Sequence, residues 1–325
     1  MSGRASGPQI VVTRRWPEPV ERELCERFPA VRLNRTDTPM TADELRAALH
    51  EADVVLPTVS DHLPAELFTG PLRTRFLGNF GVGYNHIDVA AAAAAGITVT
   101  NTPDVLTDAT ADTAITLLLM VARRAGEGER ELRAGQWTGW RPTHLMGSDV
   151  TGRTLGIVGM GRIGSAVARR ARYGFEMPVV YYDPQAPSSP AVPDARRVDT
   201  VDEVLEQAEF VSLHMPGGPG NKHLIDAARL ARMKPDAFLI NTARGDVVDT
   251  AALADALRAG TIAGAGLDVY EGEPHVPDAL LALPNVVLLP HLGSATRQTR
   301  IAMGKLVLDN LTAFLDNRPP PCRVA

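Results

Sequence analysis

Short apolar runs recur along the N-terminal part of the chain, separated by stretches with helical spacing. Gln9 to Val12, Val31 to Asn34, Asp53 to Leu56, Arg75 to Asn79 and Ile97 to Asn101 read as strands. Glu18 to Arg27, the segment opening at Thr41, and Asp88 to Ala95 read as helices. Thr41 with Glu44 three residues on has the pattern of a capping box. Gly96 closes the alanine-rich helix, since alanine is the best helix former and glycine a common stop. Strand and helix in alternation predict a parallel α/β domain.

Asn101-Thr102-Pro103 interrupts this alternation. A long apolar helix is expected over Asp104 to Arg124, then an irregular stretch from Ala125 to Asp149 carrying Gly, Trp and Pro. A second α/β unit runs from Thr154 to about Pro290. Its expected strands are Gly156–Val158, Val179–Tyr182, Phe210–Leu213, Phe238–Asn241, Gly264–Leu267 and Val286–Leu289. Pro184 to Pro193 reads as a Pro/Ser-rich surface loop, and a last helix is expected over about Gln298 to Asp316.

The first of these strands runs into Gly159-Met160-Gly161-Arg162-Ile163-Gly164 and then a helix. Asp183 ends the next apolar run, nineteen residues past the last glycine. Strand, G-x-G-x-x-G, helix, strand and terminal acid form the dinucleotide-binding fingerprint. Gly159 permits the tight turn, Gly161 lets the backbone approach a pyrophosphate, and Gly164 lets the helix pack on the strand. The helix N-terminus offers free N–H groups to the phosphates. This fingerprint normally opens its domain, yet here it begins near residue 154. The preceding residues therefore make a separate domain, with chain crossings near 101–105 and 290–294. Two hinged α/β domains imply a cleft that holds the active site.

Composition narrows the function by exclusion. A net charge of −5 without any Lys/Arg block gives no general attraction to nucleic acid or anionic membrane. Cys25 and Cys322 form neither a metal spacing nor a disulfide framework, which fits a reducing cytosol. The stretch Met1 to Pro8 has no signal-peptide core, and the apolar run Thr113 to Val121 is too short to span a bilayer. A cytoplasmic protein with no metal is expected.

Three loops after strands of the second unit hold the candidate chemistry: Thr242-Ala243-Arg244-Gly245, the segment Asp268 to Pro274, and His291-Leu292-Gly293-Ser294. Carboxyl ends of parallel strands are where such domains bind ligands. An Arg, a Glu and a His there suit reduction of a carbonyl acid. Arg offers a planar fork to a carboxylate, and His donates a proton near neutral pH. A Glu beside the His would favour its protonated form. Singly, Arg244 could cap a loop, Glu273 could be a solvated acid, and His291 could be a core histidine. Spacing does not choose between these readings.

The strings TLGIVGMGRIG, NTARGDVVD with GLDVYEGEP, and LLPHLGSAT resemble the signatures of the D-isomer-specific 2-hydroxyacid dehydrogenases. The similarity runs from Val12-Thr13-Arg14 to the last helix. TPDVLTDATADTAITLLLMVARR and GQWTGWRP resemble the glyoxylate/hydroxypyruvate reductase branch. The resemblance implies two Rossmann-like domains, with a doubly wound NAD-binding domain (105–289) inserted into a smaller flavodoxin-like substrate domain (1–104 and 290–325). It implies catalytic roles for Arg244, Glu273 and His291. Val82 and Gly83 would bind the substrate carboxylate through consecutive N–H groups. Arg244 and His291 would touch the substrate too.

The same resemblance places Gly159, Gly161, Arg162, Ile163, Gly164, Asp183, His214, Pro216, Thr242, Ala243, Asp268 and Gly293 at the cofactor. Arg162 and Ile163 would lie at the pyrophosphate, Asp183 at the adenine ribose, and Asp268 at the nicotinamide carboxamide. A carboxylate accepts from two ribose hydroxyls and repels a 2′-phosphate, so Asp183-Pro184-Gln185 predicts NAD(H) over NADP(H). His214-Met215-Pro216-Gly217-Gly218 departs from relatives that carry Leu-Thr after the Pro, and nothing in the sequence explains it. Reduction of glyoxylate, and of hydroxypyruvate, is the expected activity. A homodimer is expected, with Trp140 reaching the partner's substrate pocket. The alternatives are a D-lactate or D-3-phosphoglycerate type of dehydrogenase, or a non-enzymatic NAD-sensing corepressor of the same fold.

Overall fold

The computed structural model describes residues 7–185 and 192–325. Most of the N-terminal stretch 1–8, and of the loop expected over 184–193, lies outside the described residues. The chain divides into two compact units, Met1–Leu106 with Ala295–Ala325, and Thr107–Ser294.

The first unit has five strands: β1 (Ile10–Val12), β2 (Val31–Arg32), β3 (Val54–Leu56), β4 (Phe76–Gly78) and β5 (Thr98–Thr100). They pair in parallel in the order β2-β1-β3-β4-β5, the flavodoxin-like winding. β1, β3 and β4 are buried at every position, as strands covered on both faces must be. The Thr41 capping box forms reciprocally, opening the helix Ala42–Glu51. Asp88 caps Val89–Ala94 by accepting from the Ala91 N–H. The tail beyond the helix Arg297–Leu315 turns back onto β5: Val324 N–H donates to Val99 O at 2.7 Å, and Asn101 N–H to Cys322 O at 3.2 Å. These bonds satisfy backbone groups that an edge strand otherwise leaves open. Sequence reading ended the structure at the last helix, because a short polar tail has no pattern of its own.

The second unit has seven strands: β6 (Leu155–Val158), β7 (Val179–Tyr182), β8 (Arg196–Arg197), β9 (Phe210–Leu213), β10 (Phe238–Asn241), β11 (Gly264–Leu267) and β12 (Val286–Leu288). All pair in parallel, in the order β12-β11-β10-β9-β6-β7-β8. This is the doubly wound order, with its topological switch between β6 and β9. The strand missing from the sequence reading is β8, two exposed arginines with no apolar signal.

The helix expected over Asp104 to Arg124 is Thr107–Ala122, and Leu117 and Leu118 on it are fully buried. Truncating either to Ala would cost about 2–5 kcal/mol. Arg124 takes a left-handed φ of 51° and breaks the helix. A second helix, Ala125–Arg133, then replaces the irregular stretch expected there. It buries no residue, so no apolar stripe announced it. Ion pairs hold it instead, Arg124 with Glu127 at 2.7 Å and Arg133 with Glu129.

The expected boundary at 290 also moves. His291 to Ser294 belong to the second unit, where Asp268 holds the backbone of His291, Leu292 and Gly293 through three hydrogen bonds. Among the described residues no helix is long and apolar enough to cross a membrane.

Candidate active site

Arg244 is set by the end of β10. The buried Asn241 side chain accepts from the Ala243 N–H at 3.0 Å and donates to Arg244 O at 2.9 Å, folding the loop back on its strand. One guanidinium nitrogen of Arg244 donates to Ala243 O at 2.6 Å. Gly245 then passes directly over the β11 loop. A Cβ there would lie 1.9 Å from Tyr270 C and 2.2 Å from Glu271 N, so only glycine lets the two backbones meet. Burial pulls the Arg244 guanidinium below its ordinary range, against the opposing pull of Glu273 and Asp246. It stays a cation at any working pH.

Asp268 follows β11 and is fully buried. Its carboxylate accepts from Leu292 N–H at 2.6 Å and Gly293 N–H at 2.7 Å, while its carbonyl accepts from His291 N–H at 3.0 Å. Burial pushes the Asp268 carboxyl up, against those N–H groups, which pull it down. The three bonds hold His291 at a left-handed φ of 55°. Such a conformation costs a non-glycine residue about 1–3 kcal/mol and persists where surrounding bonds impose it.

Glu273 Oε2 lies 2.8 Å from His291 Nδ1, and Glu273 Oε1 accepts from Tyr270 N–H at 2.9 Å. Burial pushes the Glu273 carboxyl up, but His291, the Tyr270 N–H and Arg244 together hold it below its ordinary range. A carboxylate can only accept, so Nδ1 carries the hydrogen and Nε2 is the ring's second site. The Arg, Glu and His proposed from sequence thus meet at one edge of one sheet.

The glycine loop after β6 has the shape a dinucleotide needs. Gly159 has φ 96°, and a Cβ there would lie 2.8 Å from His214 C. At Gly164 a Cβ would lie 2.1 Å from Gly159 O, so helix Arg162–Phe175 packs hard on the loop. At Gly161 a Cβ would meet nothing within 4 Å, and no side chain caps the helix N-terminus. Arg162 and Ile163 open that helix. In the loop after β10, Thr242 Oγ1 is buried without a hydrogen-bond partner. An orphaned buried hydroxyl costs free energy that a bound ligand can recover, so the residues fit a dinucleotide.

Asp183 ends β7. It accepts from Met160 N–H at 2.8 Å and Gln185 N–H at 2.7 Å, which fixes the carboxylate beside the glycine loop. Along the chain no Arg or Lys follows Asp183 before Arg196. Strand pairing supplies one, since Arg197 on β8 donates to Asp183 O at 3.0 Å. His214 follows β9, with its Nε2 2.8 Å from Ser212 Oγ, and Pro216 O accepts from Asn221 Nδ2 at 2.8 Å. Also missed were Asn241, which reads as one more strand residue, and Asp246, taken up below.

Val82 and Gly83 belong to the first unit. Asn79 Nδ2 donates to both Gly81 O and Gly83 O at 3.0 Å, and Asn101 Nδ2 to Val82 O at 2.8 Å. The turn's carbonyls are thereby pinned, Gly81 N–H donates to Asn79 O at 3.0 Å, and the N–H groups of Val82 and Gly83 make no backbone bond among the described residues. Trp140 lies in the segment between Ala125–Arg133 and β6 and is 82% exposed.

A family model described as the NAD binding domain of D-isomer specific 2-hydroxyacid dehydrogenases matches residues 115–293. The chain is 44% identical to a glyoxylate reductase of Korarchaeum cryptofilum, over 97% of this chain and 95% of that one. It is 43% identical to a glyoxylate reductase of Thermococcus litoralis, over 97% and 96%. Among solved structures it is similar to an NADPH-dependent glyoxylate/hydroxypyruvate reductase from Sinorhizobium meliloti, in complex with NADP and malonate. That match has a TM-score of 0.85 and 39% identity, over 98% of this chain and 97% of the other. A matched NAD-binding fingerprint, a paired His and Glu beside an Arg, and similarity along the whole length agree: the chain belongs to the D-isomer specific 2-hydroxyacid dehydrogenase family.

Proposed function

We propose that this protein reduces glyoxylate, and hydroxypyruvate, to the corresponding 2-hydroxy acid with NADH. The observation that carries the reading is the 2.8 Å pair of His291 and Glu273 on the same sheet edge as Arg244. Reduced nicotinamide, when bound, supplies the hydride that substrate C2 accepts. Arg244 holds the carboxylate and polarises the carbonyl. His291 gives its Nε2 proton to the carbonyl oxygen as charge develops there, and Glu273 stabilises the protonated ring before transfer. Thr242, Ala243, Asp268 and Gly293 line the nicotinamide side, and His214 and Pro216 the adenine side. A cytosolic location fits the two free cysteines.

The test is nicotinamide oxidation followed by absorbance, with glyoxylate, hydroxypyruvate, pyruvate and phosphohydroxypyruvate in parallel. Turnover highest on the first two supports the reading. Turnover highest on pyruvate or the phosphorylated acid assigns a D-lactate or phosphoglycerate type, and NADH binding without turnover favours a sensing role.

NADH is proposed over NADPH because the Asp183 carboxylate would repel a 2′-phosphate. Arg197, held against the Asp183 carbonyl, favours the opposite reading, tolerance of NADPH. The two variants separate these effects. Asp183→Ala should weaken NADH binding and relax discrimination, whereas Arg197→Ala should lower only the NADPH rate. A wild type that prefers NADPH would refute the Asp183 reading.

A homodimer is proposed on the exposed Leu132, Trp137, Trp140 and Met146, four large apolar side chains in one short segment. Trp140 would wall the partner's substrate pocket and limit what fits, a discrimination of about 1–3 kcal/mol per methylene. Trp140→Ala should shift preference toward bulkier 2-keto acids with NADH affinity nearly unchanged. Sedimentation of the wild type as a monomer would end the borrowed-residue reading.

A further inference from the structure

The loop Met215–Gly220, which the sequence left unexplained, is seated against the stem of Arg244. A Cβ at Gly217 would lie 2.4 Å from Asp246 Oδ1 and 2.9 and 3.0 Å from Cβ and Cγ of Arg244. One carbon more at this position has no room. The neighbouring Gly218 N–H donates to Asp246 Oδ2 at 2.8 Å, and His223 N–H donates to Asp246 O at 2.7 Å. Asn221 closes the same loop through its N–H to Gly218 O at 3.0 Å and its side chain to Pro216 O at 2.8 Å. The ring of His223 reaches Glu271 Oε2 at 2.9 Å and ties the loop to the one that carries Glu273. Asp246 is therefore the point at which the β9 loop is fastened to the β10 loop, two residues beyond Arg244.

The geometry points to Asp246 as the residue that positions Arg244, with Gly217 leaving the space this requires. The inference rests on the reading of Arg244 as the substrate-carboxylate group. An arginine stem has many rotamers, and a bidentate guanidinium works only in one orientation. The Asp246 carboxylate is anchored by Gly218, so it stands as a fixed negative charge and a fixed wall beside that stem. The missing side chain at Gly217 lets loop, carboxylate and stem close into one packed layer. The Gly-Gly pair in place of the Leu-Thr of relatives thereby acquires a physical reason.

A double-mutant cycle on the full-length protein tests this. Asp246→Ala should raise the glyoxylate KM by roughly tenfold, as misplacing a binding group does, and leave the NADH Kd within about twofold. Asp246→Asn keeps an acceptor for the Gly218 N–H but loses the charge, and should raise KM by a smaller factor, about threefold. Gly217→Ala should reproduce the KM effect by displacing the same carboxylate. In an Arg244→Ala background, Asp246→Ala should change KM little, because there is no guanidinium left to position. A role in stability alone would lower activity equally in both backgrounds, and that result overturns the proposal. A normal KM in Asp246→Ala, beside a crippled Arg244→Ala, overturns it as well. Normal kinetics in Arg244→Ala would instead refute the assignment of Arg244 itself, and the proposal with it. If Asp246→Ala fails to fold, Asp246→Asn and its cycle with Arg244→Ala decide the matter on the same readouts.

Discussion

His214 and His291 both leave the seven-stranded sheet at the carboxyl side, after β9 and β12, yet their hydrogen-bond partners differ in kind. His214 has a serine hydroxyl at 2.8 Å, and loss of solvent pulls its pKa down to about 3. Desolvation thus disfavours the protonated form of this ring. His291 has the Glu273 carboxylate at 2.8 Å, with about a third of each side chain still exposed. Residue type and place in the fold are shared. The partner differs, a carboxylate at His291 and a hydroxyl at His214.

The largest test of this contrast deletes each ring. His291→Ala should lower kcat for glyoxylate by about 10²–10⁴-fold with NADH binding retained. His214→Ala should act chiefly on the NADH Kd, leaving kcat within about an order of magnitude of wild type. Steady-state kinetics with a fluorescence titration of NADH reads both. Equal loss of kcat in the two variants would erase the distinction.

Glu273→Gln makes His291 resemble His214 and should have the next largest effect. We expect a lower kcat and an altered pH profile of reduction, with cofactor affinity nearly unchanged. The sign of the stability effect follows from the carboxyl itself. Its pKa is held below the ordinary 4.5, so its contribution is complete above that pH and is lost as pH falls through the lowered value. The stability gap between wild type and Glu273→Gln, from urea midpoints, should be constant near neutrality and shrink only in acid.

His214→Asn should give the smallest effect and one of a different shape. The folded-state pKa lies near 3 against an ordinary 6.5, so the unfolded chain takes up the proton first as pH falls. Wild type should lose stability relative to the variant as pH drops from 6.5 toward 3, and the difference should be flat above 6.5. A difference independent of pH would mean that the ring is not kept neutral by the fold.

The two histidines also mark how far sequence reading reaches. His291 was legible because LLPHLGSAT carries a family signature, and Arg244 and Glu273 were legible in the same way. The bonds that fix the backbone of His291 were not legible. Asp268 reads as a cofactor contact, and nothing in the spacing shows that its carboxylate also accepts from Leu292 and Gly293 and so imposes the backbone of the histidine loop. Asn241 reads as the last residue of a strand, whereas its amide folds the arginine loop. Gly217 reads as an unexplained departure until the packing against Asp246 is seen.

By itself the sequence determined what depends on local order. Alternating apolar runs and helical spacing define two α/β units, because strand and helix periodicity are written in neighbouring residues. G-x-G-x-x-G defines a turn, because each glycine answers to its own backbone. The capping box at Thr41 and Glu44 formed as spacing predicts, since both partners lie within one turn. The tertiary structure alone decided what depends on residues far apart in the chain. It paired the two arginines of β8 with β7 and so brought Arg197 to Asp183. It gave Ala125–Arg133 a helix with no buried face, and set the unit boundary at Ser294 through bonds from Asp268. It also made one histidine neutral and left the other paired, since desolvation and a neighbouring charge act through space and leave no mark on spacing.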